Sequence, residues 1–474
     1  MNESPPRTFL SKAIANLKDM WRGIADTGYS AETASLRPDL PDGDLDRVRR
    51  QMRECLESRG GEVSARARAA ALGRAYLALD STGRGRFLKL LAEDFEPDPA
   101  TVDDAIHSLQ SATDRPARQD ALAALRQALE SPRLRLLTQF NALPEGVKFL
   151  VDMRAEILKL LSQEPSLAPL ERDLKGLLGT WFDIGFLELK RITWDSAPAT
   201  LLEKLIAYEA VHAIRGWEDL KNRLDSDRRC FAFFHPRMPS EPLIFVEVAL
   251  TDGLADNIGD LLDKSAPVQN PRDADTAIFY SISNAQKGLA GISFGGFLIK
   301  RVVDNLAAEF KGLKTFATLS PVPGFMAWLE AAQGEAKADL FLPDEIARLE
   351  AAGIAAETPA GPLECLRGRE WAADPARAEA LKEPLLRLCA RYLAREKAGA
   401  KRALDPVAHF HLTNGARLER INWLADTSAK GLAQSAGLMV NYLYRLSDIE
   451  DNHEAYSDHG EVRVSASVRS ALKT

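Results

Sequence analysis

Cysteine is scarce in this chain, and the four that occur, Cys55, Cys230, Cys365 and Cys389, stand far apart with no CxxC pair. That spacing offers neither a structural zinc site nor a disulfide framework, and it fits a reducing compartment. No apolar run approaches the ~18 residues of a membrane span. The amphipathic stretch Phe9–Ile24 carries Asp19, with Glu3 just before it, whereas transit peptides avoid acids. A cytoplasmic protein is therefore expected. Positive charge is not in excess either: the formal net charge is -7 and no basic domain stands out, which argues against a nucleic-acid binder. Two nucleotide-binding signatures are missing: GxGxxG does not occur, and Gly291 and Gly296 have P-loop separation but are followed by Phe297 where lysine is needed. Gly291-Ile292-Ser293-Phe294-Gly295 does have the GxSxG spacing.

What is present is ample apolar material. With 474 residues, 46% of them hydrophobic, the chain predicts two or three domains with sizeable cores. From about Asp44 to Leu187 it is rich in Ala, Leu, Arg and Glu at helical spacing, broken at Pro97, Pro132, Pro144 and Pro165. That pattern predicts a helical bundle. Beyond residue 190 the character changes. A helix over Pro198–Ile214 is expected, then strands over Arg229–Phe234 and Leu243–Leu250, and a helical insertion near 326–401. Strand-like or mixed structure is expected in HFHLTNGARLERINW and GLMVNYLYRL, and a poorly ordered polar tail after Asp448. The whole reads as a multidomain α and α+β protein, with residues 1–190 helical and 191–474 built on a mixed sheet.

The segment FYSISNAQKGLAGISFGGFLIKRVV carries the first functional signal. Ala277–Ser283 reads as a buried strand. Gly288, Gly291, Gly295 and Gly296 interrupt it, and Phe294, Leu298, Val302 and Leu306 then recur every four residues as one face of a helix. Thr315–Leu319 is a second apolar strand, so the unit fits a βαβ crossover between parallel strands. Glycines before a helix start let a diphosphate approach unpaired backbone N–H groups, and Lys300 and Arg301 add charge farther along. Read alone, the same glycines serve close packing equally well.

Ser320, at the end of the second strand, should share the rim of the sheet with that loop, although a serine before Pro321 also serves as a turn cap. His411 is the other candidate. In a strand it would share a face with His409, but no nearby carboxylate or cysteine completes a metal site, and none is expected. His212, His235, His453 and His459 read as surface residues.

Taken together, WFDIGFLELKRITWDS, AVHAIRGWEDLKNRL, FYSIS with QKGLAG, FGGFLIKRVV, TLSPVPGF, PLLRLCARYL, DPVAHFHLTNGARLERINWLAD and GLMVNYLY resemble the malonyl-CoA decarboxylase family, in family order from about Trp181 to Tyr444. The resemblance implies a helical oligomerisation domain and a catalytic domain with a GNAT-type acyltransferase fold, in a homo-oligomer. It places the CoA diphosphate at Ala290, Gly291, Ile292, Ser293, Phe294, Gly295 and Gly296, and the family's catalytic serine and histidine on Ser320 and His411. The chain departs from the family at Ala290 and Ser293, where Gln and an acidic residue are frequent, and it ends Ala-Leu-Lys-Thr where peroxisomal relatives carry Ser-Lys-Leu.

The implied reaction is loss of CO2 from malonyl-CoA to give acetyl-CoA. Because the thioester is its own electron sink, no cofactor is expected; CoA anchoring, hydrogen bonds to the enolate oxygen and a proton for carbon are the tasks left to the protein. Ser320 is expected to orient the carboxylate or thioester and His411 to supply or relay the proton. A CoA-dependent acyltransferase of the same fold and a scaffold that binds malonyl-CoA without turnover are the alternatives.

Overall fold

The computed structural model describes residues 17–18, 20–21, 36–57, 61–182, 184–292, 298–334, 340–356 and 360–473. Most of the Phe9–Ile24 stretch and residues 293–297 of the glycine loop lie outside these. The described chain divides into two compact units. The first runs to Phe186 and also takes in His235–Pro239 and the start of the glycine loop from Gln286; the second holds the remainder.

The first unit is helical: α1 (Asp42–Leu56), α2 (Gly61–Ala78), α3 (Ser81–Glu93), α4 (Pro99–Ser111), α5 (Arg115–Ala128), α6 (Pro132–Asn141), α7 (Gly146–Leu160) and α8 (Ala168–Trp181). Local chemistry sets several starts. Asp80, Asp98 and Asp114 each accept an N–H from the first turn, and Pro99, Pro116 and Pro132 lie where a missing N–H costs nothing. Tyr76, Phe87, Phe140 and Phe149 form its aromatic core, with ring centroids 5.0 to 5.6 Å apart. α4 and α5 differ from the rest, since each buries a single alanine, Ala105 or Ala121.

The second unit is a mixed sheet of β1 (Glu188–Ile192), β2 (Arg228–His235), β3 (Met238–Thr251), β4 (Thr276–Asn284), β5 (Thr315–Thr318), β6 (Ser320–Pro321), β9 (Arg417–Asn422) and β10 (Met439–Leu443), with β7 (Lys397–Ala398) and β8 (Arg402–Ala403) forming a separate pair. The strand order is β1-β2-β3-β4-β5-β10-β6, with β9 on β10. β4 and β5 are parallel, and the helix Leu298–Glu309 lies between them in the chain, as the crossover pattern requires. β10 runs antiparallel to β5, β6 and β9. The described residues of the 326–401 region are mainly helical and end in β7.

Two expectations fail. The helix expected over Pro198–Ile214, here α9 (Ala199–Tyr208), stops early because the Glu209 carboxylate accepts the N–H groups of Val211 and His212 and turns the chain. The polar tail is ordered as two helices, Ile449–His459 and Ala466–Ala471, held by buried Ile449, Tyr456 and Val468. The segment HFHLTNGARLERINW is mixed, with His411 on the helix Pro406–Thr413 and β9 following it. Among the described residues no helix is long and apolar enough to cross a membrane.

Candidate active site

The geometry starts with an interrupted ladder. Ala317 pairs with Leu443 and Ser320 with Val440, yet between them the N–H of Leu319 turns the other way, to the Phe279 carbonyl on β4 at 3.0 Å. β10 is therefore left with groups that a regular strand would satisfy. Side chains do it instead: the Tyr442 N–H donates to Thr318 Oγ1 at 3.1 Å, and Asn441 Nδ2 donates to the Thr318 carbonyl at 2.7 Å. Asn422 and Arg420 on β9 fix Asn441 by donating to its Oδ1 at 2.9 and 3.0 Å.

Two-residue periodicity then puts Thr318 and Ser320 on one face of the sheet, with Tyr442 and Tyr444, on β10 and just beyond it, on the same face. The helix Pro406–Thr413 brings His411 onto that face. Ser320 Oγ lies 2.9 Å from His411 Nε2 and 2.9 Å from Thr318 Oγ1. Tyr444 Oη lies 2.8 Å from His411 Nδ1, and the Tyr442 ring stacks on the imidazole at 4.5 Å between centroids. Both ring nitrogens are thus occupied, so a neutral imidazole donates to one hydroxyl and accepts from the other. When Tyr444 donates to Nδ1, Nε2–H points at Ser320, whose own hydroxyl donates to Thr318 Oγ1.

Burial decides the charge. His411 is 2% exposed, and desolvation lowers its pKa from 6.5 to about 3, so the ring is uncharged at neutral pH. The same burial pushes the phenols of Tyr442 and Tyr444 well above their ordinary range. Ser320 and His411, chosen from sequence, are therefore brought together. Thr318 and Tyr444 were missed, though Thr318 carried a signal in standing two residues before Ser320.

His409 does not share the site. Helical geometry sends it elsewhere, and its Nδ1 meets Tyr456 Oη at 2.8 Å. His235 is buried too, with Nε2 3.0 Å from the Trp181 carbonyl, so the surface reading does not hold for it. Lys300 and Arg301 are already engaged: Lys300 pairs with Glu450 at 2.8 Å, and Arg301 donates to the Leu187 carbonyl at 3.0 Å.

The described start of the glycine loop packs on the helical unit. A Cβ at Gly288 would stand 1.7 Å from the Val151 carbonyl oxygen, a distance that excludes any side chain. Arg154, buried and paired with Glu171 at 2.6 Å, donates to the Gly288 carbonyl at 2.5 Å. Gly291 turns the chain at φ +71°, and Lys175 Nζ lies 3.6 Å from where its Cβ would be. The N–H groups of Ala290 and Ile292 bond to the carbonyls of Lys287 and Leu289 at 3.2 and 3.0 Å. Ser293, Phe294, Gly295 and Gly296 lie outside the described residues.

Ser320 and an uncharged His411 thus form a buried, hydrogen-bonded pair on one face of a mixed sheet. The chain belongs to the malonyl-CoA decarboxylase family: residues 185–474 match the malonyl-CoA decarboxylase C-terminal domain and residues 95–182 its N-terminal domain. It is 38% identical over 418 residues to mitochondrial malonyl-CoA decarboxylase of Anser anser anser, covering 85% of this chain and 82% of that one. The Rattus norvegicus protein of the same name is also 38% identical, over 414 residues, covering 83% of this chain and 82% of its own. The crystal structure of malonyl-CoA decarboxylase from Rhodopseudomonas palustris superposes with a TM-score of 0.82 at 44% identity, covering 90% of this chain and 99% of that one.

Proposed function

We propose that this protein is a carboxy-lyase that converts malonyl-CoA to acetyl-CoA and CO2, and that Ser320 and His411 handle the proton. Family membership supports the reaction, and the 2.9 Å contact between Ser320 and a neutral His411 supports the roles. The bond between the malonyl carboxylate carbon and C2 breaks, and its electron pair flows onto the thioester carbonyl, giving an enolate and CO2. Ser320 hydrogen-bonds to the reacting end and gives its proton to C2. His411 Nε2–H hydrogen-bonds to the serine oxygen as that proton leaves, Tyr444 holds Nδ1 and keeps its own proton, and the proton that C2 gains is made good at Ser320 from water. Neutrality suits this arrangement, because a cation beside the leaving carboxylate would stabilise the ground state and raise the barrier. Positioned donors of this kind are worth ~100-fold or more each.

The thioester accepts the electrons, so the reaction as proposed needs no metal or biotin. We place the CoA diphosphate at the loop Ala290–Gly296, where the turn at Gly291 and the nearby Lys175 ammonium support an anion; the amides of Ala290 and Ile292 are bonded internally. A GNAT-type fold for the second unit is supported by the strand, loop, helix and strand around the parallel β4–β5 pair. Homo-oligomerisation through the helical unit is supported by the thinly buried α4 and α5 with their exposed Ile106, Leu122 and neighbouring Leu129.

Incubation of the purified protein with malonyl-CoA alone, after chelator treatment, tests the reading. Stoichiometric CO2 and acetyl-CoA are expected, and unchanged malonyl-CoA refutes it.

A further inference from the structure

Asp405 is 0% exposed, and its carboxylate has no role in the proton transfer described above. Burying a carboxylate is costly, by several kcal/mol before compensation. A serine or threonine would cap the helix Pro406–Thr413 as well. The geometry shows what the longer, charged side chain adds. Oδ1 accepts the N–H groups of Val407 and Ala408 at 2.9 and 2.8 Å, an ordinary cap on the helix that carries His411. Oδ2 is turned away from that helix. It accepts from Tyr392 Oη at 3.3 Å, on the helix Pro375–Ala394, and the backbone of Gly324, in the turn that follows Ser320, stands beside the carboxylate with its N–H favouring the charged form. Gly324 has to be glycine for this approach, since a Cβ there would stand 2.3 Å from Tyr392 Oη and 3.7 Å from Asp405 Oδ2.

One carboxylate therefore grips the start of the His411 helix and the turn leaving Ser320 at once. We propose that Asp405 is a positioning residue that sets the separation of Ser320 and His411, with Tyr392 and Gly324 as its fixed points. The inference rests on the reading that this pair carries the reaction. A hydrogen-bonded pair tolerates little displacement, and ~1 Å of misplacement can cost ~100-fold in rate.

The discriminating substitution is Asp405→Ser, which keeps the cap but is too short to reach Tyr392 or Gly324. With malonyl-CoA, kcat is expected to fall about 10- to 100-fold while KM stays within about twofold. Introduced into Ser320→Ala, the same substitution is expected to add little, because residues that act as a unit are not additive. Tyr392→Phe, which removes one fixed point and leaves the cap untouched, should show the same pattern at smaller size, and it decides the matter if Asp405→Ser does not fold. A folded Asp405→Ser or Tyr392→Phe protein with wild-type kcat overturns the proposal. So does a full, additive loss in the Ser320→Ala background, which marks a structural role only. Near wild-type activity in Ser320→Ala itself would instead overturn the underlying assignment of the pair.

Discussion

The charge on His411 is the feature most open to direct test. Among the described residues its ring has no carboxylate partner to favour the imidazolium: Ser320, Tyr444 and the stacked Tyr442 surround it, and burial lowers its pKa to about 3. At pH 6.5, where an ordinary histidine is half protonated, roughly one ring in 3,000 would carry the proton. The consequence for stability follows from linkage. An unfolded chain takes up this proton as the pH falls below about 6.5, whereas the folded chain resists until about 3. The contribution is therefore complete above 6.5 and is lost below it at about 1.4 kcal/mol per pH unit, reaching about 2 kcal/mol at pH 5. The assay is an NMR titration of the imidazole signals of the protein's seven histidines, with His411 identified by the signal absent from His411→Asn. That signal is expected to stay fixed from pH 8 to pH 5. In parallel, the stability of the wild type relative to His411→Asn is expected to shrink by about 2 kcal/mol across the acid part of this range. A signal that titrates near 6.5 would refute the role given to a neutral ring.

Three further outcomes follow from the same geometry. Ser320→Ala is expected to lower kcat ~100-fold or more in a protein that still folds and binds CoA, measured by acetyl-CoA formation and CoA titration. Tyr444→Phe leaves His411 Nδ1 buried without its partner, so a loss of about 1–3 kcal/mol in stability, read by denaturant unfolding, should accompany a fall in kcat. Gly288→Ala drives a methyl group into the Val151 carbonyl, and it is expected to raise KM for malonyl-CoA far more than it lowers kcat, by displacing the loop without touching Ser320.

The parts that sequence revealed were those governed by local pattern. β4, the helix Leu298–Glu309 and β5 emerged from an apolar run, a glycine break and a four-residue repeat, because each is buried on faces that the repeat describes. The His411 helix did not. Its PVAHFHLT is short and rich in residues that favour strands, and local composition outweighed the true signal, an aspartate followed by proline at a helix start. The tail was misread because polar composition hides how few anchors a helix needs when another helix is ready to receive them; Ile449, Ala455 and Tyr456 suffice for the first of its two helices, which packs on the helix Pro406–Thr413. Ser320 and His411 were reachable through motif resemblance. Their supports were not, since Tyr444 meets His411 only through the register of β10 against β5, and the neutrality of the imidazole depends on burial from several elements at once.

The seat of Gly288 on α7 also bears on how such a protein can be taken apart. The loop start that follows β4 in the chain belongs, by packing, with the helices that precede β1, as does the turn His235–Pro239 between β2 and β3. No single cut in the polypeptide separates the two units. A fragment beginning at residue 187 would retain Ser320 and His411 but lose Val151 and Arg154, the floor and the clasp of the loop proposed to hold the substrate's handle. Exchanging helical units between relatives should succeed only when these two re-entrant segments travel with them.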